Sequence, residues 1–265
     1  MIGVAGCGRM GQPMAEALIA ADFPTLGFDV RPADAFGTFA QHLADAETFA
    51  SQIQTLITVV RDAEQTEQVL FGAQGFARAP NLRRIVISST LSPNYVRALR
   101  PRLPSHLCVI DAPMSGAAIA AREARLSFML GGTCDDIAEA MPLFEAMGKT
   151  ITHCGPFGAG MVVKVLNNLV AASSVAATRT ALHWSDALGV EDATLLRVLH
   201  ASSGQTWFGS AFDQIEFARD GLRPDNSIGI LVKDVEAAMD GAPDGADLAL
   251  PQALIAALKG LHPRE

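Results

Sequence analysis

The chain has 265 residues, 49% of them hydrophobic, and a formal net charge of −8. That is enough apolar material for one large domain or two small ones, and the acidic balance excludes a broad electrostatic attraction to phosphate backbones or anionic membranes. Cys7, Cys108, Cys134 and Cys154 are scattered without a C-x-x-C or a Cys/His cluster at metal spacing, so we expect reduced thiols and no metal site.

No cationic leader precedes "MIGVAGCGRMGQPMAEAL", and no run of about 18 uninterrupted apolar residues follows, which predicts a cytoplasmic protein without membrane or nucleic-acid partners. From the start, β-like runs alternate with helix-like ones: "IGVAG", "MGQPMAEALIAAD", "TLGFDV", and later "TLITVV", "RIVISST", "LCVIDAP" and "SFMLGG". This alternation predicts an α/β fold, a Rossmann-type doubly wound parallel sheet over residues 1–154. The first β-to-α junction carries G-x-G-x-x-G at Gly6, Gly8 and Gly11, with Arg9 and Met10 inside the motif. Glycines there allow a tight turn and close approach of a diphosphate, which the amides and dipole of the next helix attract. Asp29, about 20 residues on at the end of the next strand, can accept hydrogen bonds from an adenosine ribose. It argues for NAD, while Arg31 leaves room for NADP; the plainer reading of Arg31 is a solvated loop arginine.

Further along, "IDAPMSGA" runs a strand into Ser115 and Gly116 ahead of the helix-like "AAIAAREARL". A hydroxyl and backbone amides beyond the carboxyl end of a strand suit an anion such as a substrate carboxylate. The alternative is an N-cap serine followed by a turn glycine.

After "THCGPFGAG" the strand signal ends, and residues 155–265 read as an all-helical domain entered through one long interdomain helix of about 30 residues, closed by Gly189. Further helices are expected at "VEDATLLRVLHAS", "SAFDQIEFARD", "SIGILVKDVEAAMDGA" and "LPQALIAALKGL", with "GAPDGAD" as a break. In the long helix, Lys164, Asn167 and Asn168 fall at i, i+3 and i+4 and share one face, with Gly160 four residues earlier clearing room. Met161, Val162, Val165 and Leu169 take the other side. A lysine in such apolar company can lose its proton near neutral pH. Beside a nicotinamide it is suited to exchange the proton of an alcohol while hydride moves.

These motifs, in this order, resemble the β-hydroxyacid dehydrogenase family, of the 3-hydroxyisobutyrate dehydrogenase type. "GCGRMGQPMAEAL" is similar to its cofactor loop, "ISSTLSP" to its nicotinamide-ribose strand, "DAPMSGA" to its substrate loop, "GAGMVVKVLNN" to its catalytic helix and "LVKDVEAA" to its second lysine motif. The resemblance implies that Lys164 is the general acid/base, that Asn168 orients it or the substrate hydroxyl, and that Ser115 and Gly116 hold a small substrate's carboxylate. It implies too that Thr90 touches the cofactor, that Lys233 reaches the nicotinamide side, and that the protein is a homodimer or homotetramer. Alanines replace the family's glycines after Ser115–Gly116, and the C-terminus reads as short. These departures favour a noncatalytic dinucleotide-binding protein as the competing reading; an imine reductase is a lesser one, since such enzymes usually lack the lysine.

Overall fold

Short apolar runs buried on both faces form the strands of the first half, as a sheet covered on either side requires. In the computed structural model, which describes residues 1–264, they are β1 (Ile2–Ala5), β2 (Thr25–Phe28), β3 (Thr55–Thr58), β4 (Arg84–Ile87), β5 (Cys108–Asp111), β6 (Met114–Ser115), β7 (Leu126–Gly131) and β8 (Gly148–Gly155). Between them run α1 (Gly11–Ala20), α2 (Ala46–Gln52), α3 (Ala63–Leu70), α4 (Pro93–Leu99), α5 (Ala117–Arg122) and α6 (Cys134–Met147). Strands β2, β1, β3, β4 and β5 pair parallel in that order.

The sheet is not parallel throughout. β5 and its continuation β6 pair antiparallel with β7, whose other side pairs parallel with β8. The six-residue α5 is the only helix between β6 and β7, and a parallel return needs a crossover of a dozen residues or more. The chain therefore doubles back. Strand β8 carries mostly exposed or half-exposed residues, so it lacks the apolar signature by which the other strands announce themselves in the sequence.

Alternate strand residues feed two cores, as the period of two demands. Val4, Ile57, Val86 and Ile110 join Met14 and Leu18 of α1 and Phe144 of α6 on one face. Ala5, Leu56, Ile85, Ile87 and Val109 join Phe49, Phe76, Val96 and Leu99 on the other. Asp45, Asp62, Ser92 and Thr133 accept backbone N–H bonds at the starts of α2, α3, α4 and α6, the usual side-chain solution for unpaired first-turn amides.

The chain divides into two compact units, the first Met1–Lys164 and the second beginning at Val165. The second is helical: most of α7 (Ala159–Ala187), then α8 (Asp192–Ala201), α9 (Trp207–Ser210), α10 (Ser227–Asp240) and α11 (Ala249–Lys259). Gly189 takes φ +73 just beyond α7, the left-handed stop that glycine supplies without strain. Leu182, Phe208, Ile228, Val235 and Leu258 form the centre of its core. By length and composition α7 could cross a bilayer, but 44% of its most apolar window is buried inside the protein, as for the core helix of a folded domain.

The expected helix "SAFDQIEFARD" does not form. Only α9 and a single 3-10 turn, Phe212–Gln214, occur there, because the Ala218 and Asp220 carbonyls accept hydrogen bonds from the Arg179 guanidinium at 2.7 and 2.8 Å. Phe208 packs edge-on to Phe212 and also against Phe217, which folds the segment into a knot of aromatic rings. Tertiary partners win over a helical pattern.

Candidate active site

The G-x-G-x-x-G turn joins β1 to α1. Gly6 has φ +94, and a Cβ on it would lie 2.6 Å from the Val59 carbonyl oxygen. A Cβ on Gly11 would collide with the Gly6 carbonyl oxygen, so only glycine lets α1 start this close to the strand. Gly8 is different, since a Cβ there would have no atom within 4 Å, so the backbone is open at this point. Met10 at the start of α1 gives no side-chain cap, unlike the capped starts of α2, α3, α4 and α6. An uncapped helix N-terminus behind an open glycine fits the diphosphate of a dinucleotide. Cys7, inside the turn, is buried; burial, and then the Asp29 charge, push its thiol up to about 12.

Asp29 follows β2 directly and is mostly covered. Arg31 is an exposed loop residue, as the plainer reading has it, but its side chain is engaged: Nε and Nη2 donate to both Asp29 oxygens at 3.0 and 3.1 Å, and Nη2 also donates to the Cys7 carbonyl at 3.1 Å. Its guanidinium lies 4.5 Å from the Phe36 ring centre. Burial alone would raise the Asp29 carboxyl, but the side-chain and backbone hydrogen bonds from Arg31 outweigh it and hold the group below the usual aspartate range. A carboxylate depressed in this way stabilises the fold above its ordinary pKa and loses that contribution as pH falls through the lower, folded value. Arg31→Ala removes the side-chain bonds and the charge while the backbone N–H bonds of residue 31 and Cys7 remain, so the Asp29 carboxyl is expected to titrate higher than in wild type. Carboxyl NMR titration of the two proteins checks this, and an unchanged midpoint would show that Arg31 is not the controlling partner.

Ser89, beyond β4, is buried and its Oγ accepts the Val60 amide at 2.9 Å, a bracket between neighbouring strand ends. Thr90 comes next and is half-buried. On the following strand, Ser115 ends β6, and Gly116 at φ +135 occupies the position before α5 with no side-chain cap. The N-cap alternative for Ser115 therefore does not hold. Ala117 then takes φ +50, a left-handed geometry that costs an alanine about 1 kcal/mol or more. Where the resembled family places glycine, this loop carries strain.

On α7, Lys164 and Asn168 are 7% and 8% exposed although both are polar, while Met161 and Val165 are buried on the core side. Asn167 is exposed and donates from Nδ2 to Asn168 Oδ1 at 3.1 Å. In the second unit, Asn168 Nδ2 donates to Asp234 Oδ2 at 2.6 Å, and Lys233 Nζ lies 2.9 Å from Asp234 Oδ1. Asp234 is 2% exposed. A carboxylate only accepts, so it fixes which way the Asn168 amide faces. The sequence reading missed Asp234: it is adjacent to Lys233, and nothing in its spacing links it to Asn168, 66 residues away. Gly160 also differs from expectation. A Cβ there would strike the Met129 carbonyl oxygen, so this glycine lets α7 pack on β7 and does not clear space at the lysine.

The family model for the NAD binding domain of 6-phosphogluconate dehydrogenase matches residues 1–155, and that for the NAD-binding of NADP-dependent 3-hydroxyisobutyrate dehydrogenase matches residues 158–259. The chain is 30% identical over 253 residues to mitochondrial 3-hydroxyisobutyrate dehydrogenase of Homo sapiens, covering 91% of this chain and 75% of that protein. It is 33% identical over 251 residues to L-threonate dehydrogenase of Cupriavidus necator, covering 91% and 83%. Among solved structures, 3-hydroxyisobutyrate dehydrogenase of Mycobacterium tuberculosis with L-serine superposes with a TM-score of 0.81 at 28% identity, over 96% of this chain and 91% of that one. An open glycine turn on an uncapped helix, a buried lysine and asparagine one turn apart, and these likenesses over both units lead to one assignment: the chain belongs to the β-hydroxyacid dehydrogenase family, the NAD(P)-dependent 3-hydroxyacid dehydrogenases.

Proposed function

We propose that the protein interconverts a small 3-hydroxy acid and its semialdehyde or keto acid, with Lys164 as general acid/base. The observation that carries this is the burial of Lys164 and Asn168, two polar side chains one turn apart on α7, in a helix that is otherwise largely apolar. Residues 1–154 serve as the dinucleotide-binding domain and residues 155–265 as the substrate and oligomerisation domain. Gly6, Gly8, Arg9, Met10, Gly11 and Asp29 hold the cofactor, NAD with NADP tolerated through Arg31, and Thr90 and Lys233 contact its nicotinamide half. When bound, the nicotinamide supplies the hydride acceptor or donor.

In the oxidising direction neutral Lys164 takes the hydroxyl proton at Nζ as the carbon hydrogen leaves as hydride; in reduction protonated Lys164 returns it. Ser115 Oγ and the Gly116 amide hold the substrate carboxylate, and Asn168 orients the hydroxyl. The names of the relatives point to 3-hydroxyisobutyrate and L-threonate, and the L-serine in the mycobacterial structure to a short, polar 3-hydroxy acid. The test is nicotinamide absorbance with NAD and NADP over these three compounds and further short 3-hydroxy acids, with the matching semialdehydes in reverse. Tight cofactor binding without turnover of any of them would sink the catalytic reading in favour of a binding protein.

Asp234 is expected to matter through Asn168 and Lys233. Asp234→Asn keeps the shape but turns an N–H₂ either toward the Asn168 amide or toward the Lys233 ammonium, and removes the charge that pairs with the lysine; such buried mispairing costs about 1–3 kcal/mol. We expect kcat/KM to fall by roughly 10- to 100-fold, as steady-state kinetics would show; a change under twofold would remove Asp234 from the site.

We also infer a cytoplasmic homodimer or homotetramer. Trp184 and Leu188 near the end of α7 are 64% and 78% exposed, and Val170, earlier on the same helix, is 70% exposed, more apolar surface than a helix facing only water carries. Sedimentation of the purified protein counts the subunits, and a monomer at micromolar concentration would refute this part.

A further inference from the structure

Between Gly155 and Gly160 the sequence is Gly-Pro-Phe-Gly-Ala-Gly. It offers no Ser, Thr, Asp or Asn to cap the helix on which Lys164 stands. The cap comes from elsewhere. Asp111, the last residue of β5 and fully buried, accepts the Gly158 amide at Oδ1 and the Met161 amide at Oδ2, each at 2.6 Å. One carboxylate 47 and 50 residues away in sequence thus satisfies two amides at the start of α7, where negative charge also meets the positive end of the helix dipole.

The surroundings are shaped for this contact. A Cβ on Gly131, the β7 partner of Asp111, would collide with Oδ1, and a Cβ on Gly160 would sit 3.0 Å from Oδ2. Two glycines therefore make room for the carboxylate. Met161, whose amide it holds, also anchors its side chain: Met161 Sδ accepts the Leu91 amide at 3.3 Å. Lys164 lies three residues beyond Met161, less than one helical turn. Past Asp111 the same strand runs through Ala112 and Pro113 to Ser115 and Gly116.

We propose that Asp111 is a positioning residue for catalysis: it ties the start of the helix that carries Lys164 to the strand that delivers Ser115 and Gly116, and so fixes the distance between proton-transfer group and substrate loop. This rests on Lys164 being the acid/base. A helix is stiff along its axis, so a shift in its first turn is carried to Lys164, and displacements near 1 Å at a reacting group cost on the order of 100-fold in rate.

The experiment compares wild type, Asp111→Asn, Lys164→Ala and Val109→Ala, the last being a cavity control in the same strand that removes no hydrogen bond to the helix start. Val109→Ala opens a cavity in the core that Val109 shares with Met161 but leaves both Asp111 hydrogen bonds in place. Kinetics use saturating NAD and 3-hydroxyisobutyrate, or the panel compound turned over fastest, with NAD affinity measured by calorimetry. Asp111→Asn, which turns one acceptor into a donor, is expected to lower kcat at least tenfold, with KM and NAD affinity within about threefold. Val109→Ala is expected to keep kcat within about twofold despite lower thermal stability. Equal kcat in Asp111→Asn and Val109→Ala, or loss of NAD affinity in step with kcat, would overturn the proposal. Full turnover by Lys164→Ala would instead refute the acid/base reading on which it stands.

A second readout needs no variant. First-turn amides of a helix normally exchange freely, so slow hydrogen exchange at Gly158 and Met161 in the wild-type protein is the expected result. Exchange there as fast as in an exposed turn would overturn the proposal even if Asp111→Asn fails to fold.

Discussion

Lys164→Ala should lower kcat by about 10²- to 10⁴-fold, the usual worth of a positioned general acid or base, while NAD binding stays within a few-fold of wild type. That is roughly 3 to 5 kcal/mol of transition-state stabilisation. The side chain is 7% exposed, so truncating it also leaves a cavity, and the unfolding midpoint is measured beside the rate. Lys164→Met, which keeps the length and apolar stem, should be as inactive as the alanine variant if the amine does the chemistry. A methionine variant retaining more than about a tenth of the activity would show that the lysine fills space and that the proton travels by another route. Stopped-flow or steady-state absorbance with the same hydroxy acid in all three proteins decides between them.

How far this site could be read from the sequence depends on whether its parts are neighbours along the chain. Gly6, Gly8 and Gly11 sit between a strand and a helix, and Lys164 and Asn168 are one turn apart; both relations are local, and periodicity exposes them. The two carboxylates that bond to these elements were invisible. Asp111 reads as the last residue of a strand, yet it caps a helix that begins 48 residues later, and Asp234 reads as the neighbour of a lysine, yet it fixes the Asn168 amide. Long-range polar partners leave no period to detect. Gly160 shows the converse error: a glycine on the lysine face suggests space for substrate, whereas its missing side chain is taken up by the β7 backbone and the Asp111 carboxylate. The fold follows the same rule. The buried strands and α7 were legible from apolar runs, while the exposed β8, the antiparallel turn back at β7 and the unwound segment after α9 depend on pairings that only the assembled chain creates.

That unwound segment leads to the largest stability effect we expect. Arg179, 5% exposed within α7, donates Nη1 to the Ala218 and Asp220 carbonyls at 2.7 and 2.8 Å and Nη2 to the His262 carbonyl at 2.6 Å. Three backbone carbonyls from two separate segments are thereby satisfied by one guanidinium fork, a geometry lysine cannot reproduce. Burial, followed by the charge of Arg264, depresses the Arg179 pKa, so the cation is held against a desolvation cost by its hydrogen bonds. Arg264 is itself committed to Asp186 and Asp192. It cannot take over the carbonyls without giving up those partners. Arg179→Ala would leave the three acceptors short of donors and a gap beneath them, and we expect a loss of roughly 3 to 5 kcal/mol, or a fall of about 10 °C in the unfolding midpoint. Arg179→Lys should recover only part of this, because a single ammonium cannot reach both segments in the plane of the fork. Urea denaturation of the three proteins measures it. A loss below about 1 kcal/mol in the alanine variant would mean that water replaces the guanidinium, and that the carbonyls after α9 are held away from helical pairing by the packed rings of Phe208, Phe212 and Phe217 alone.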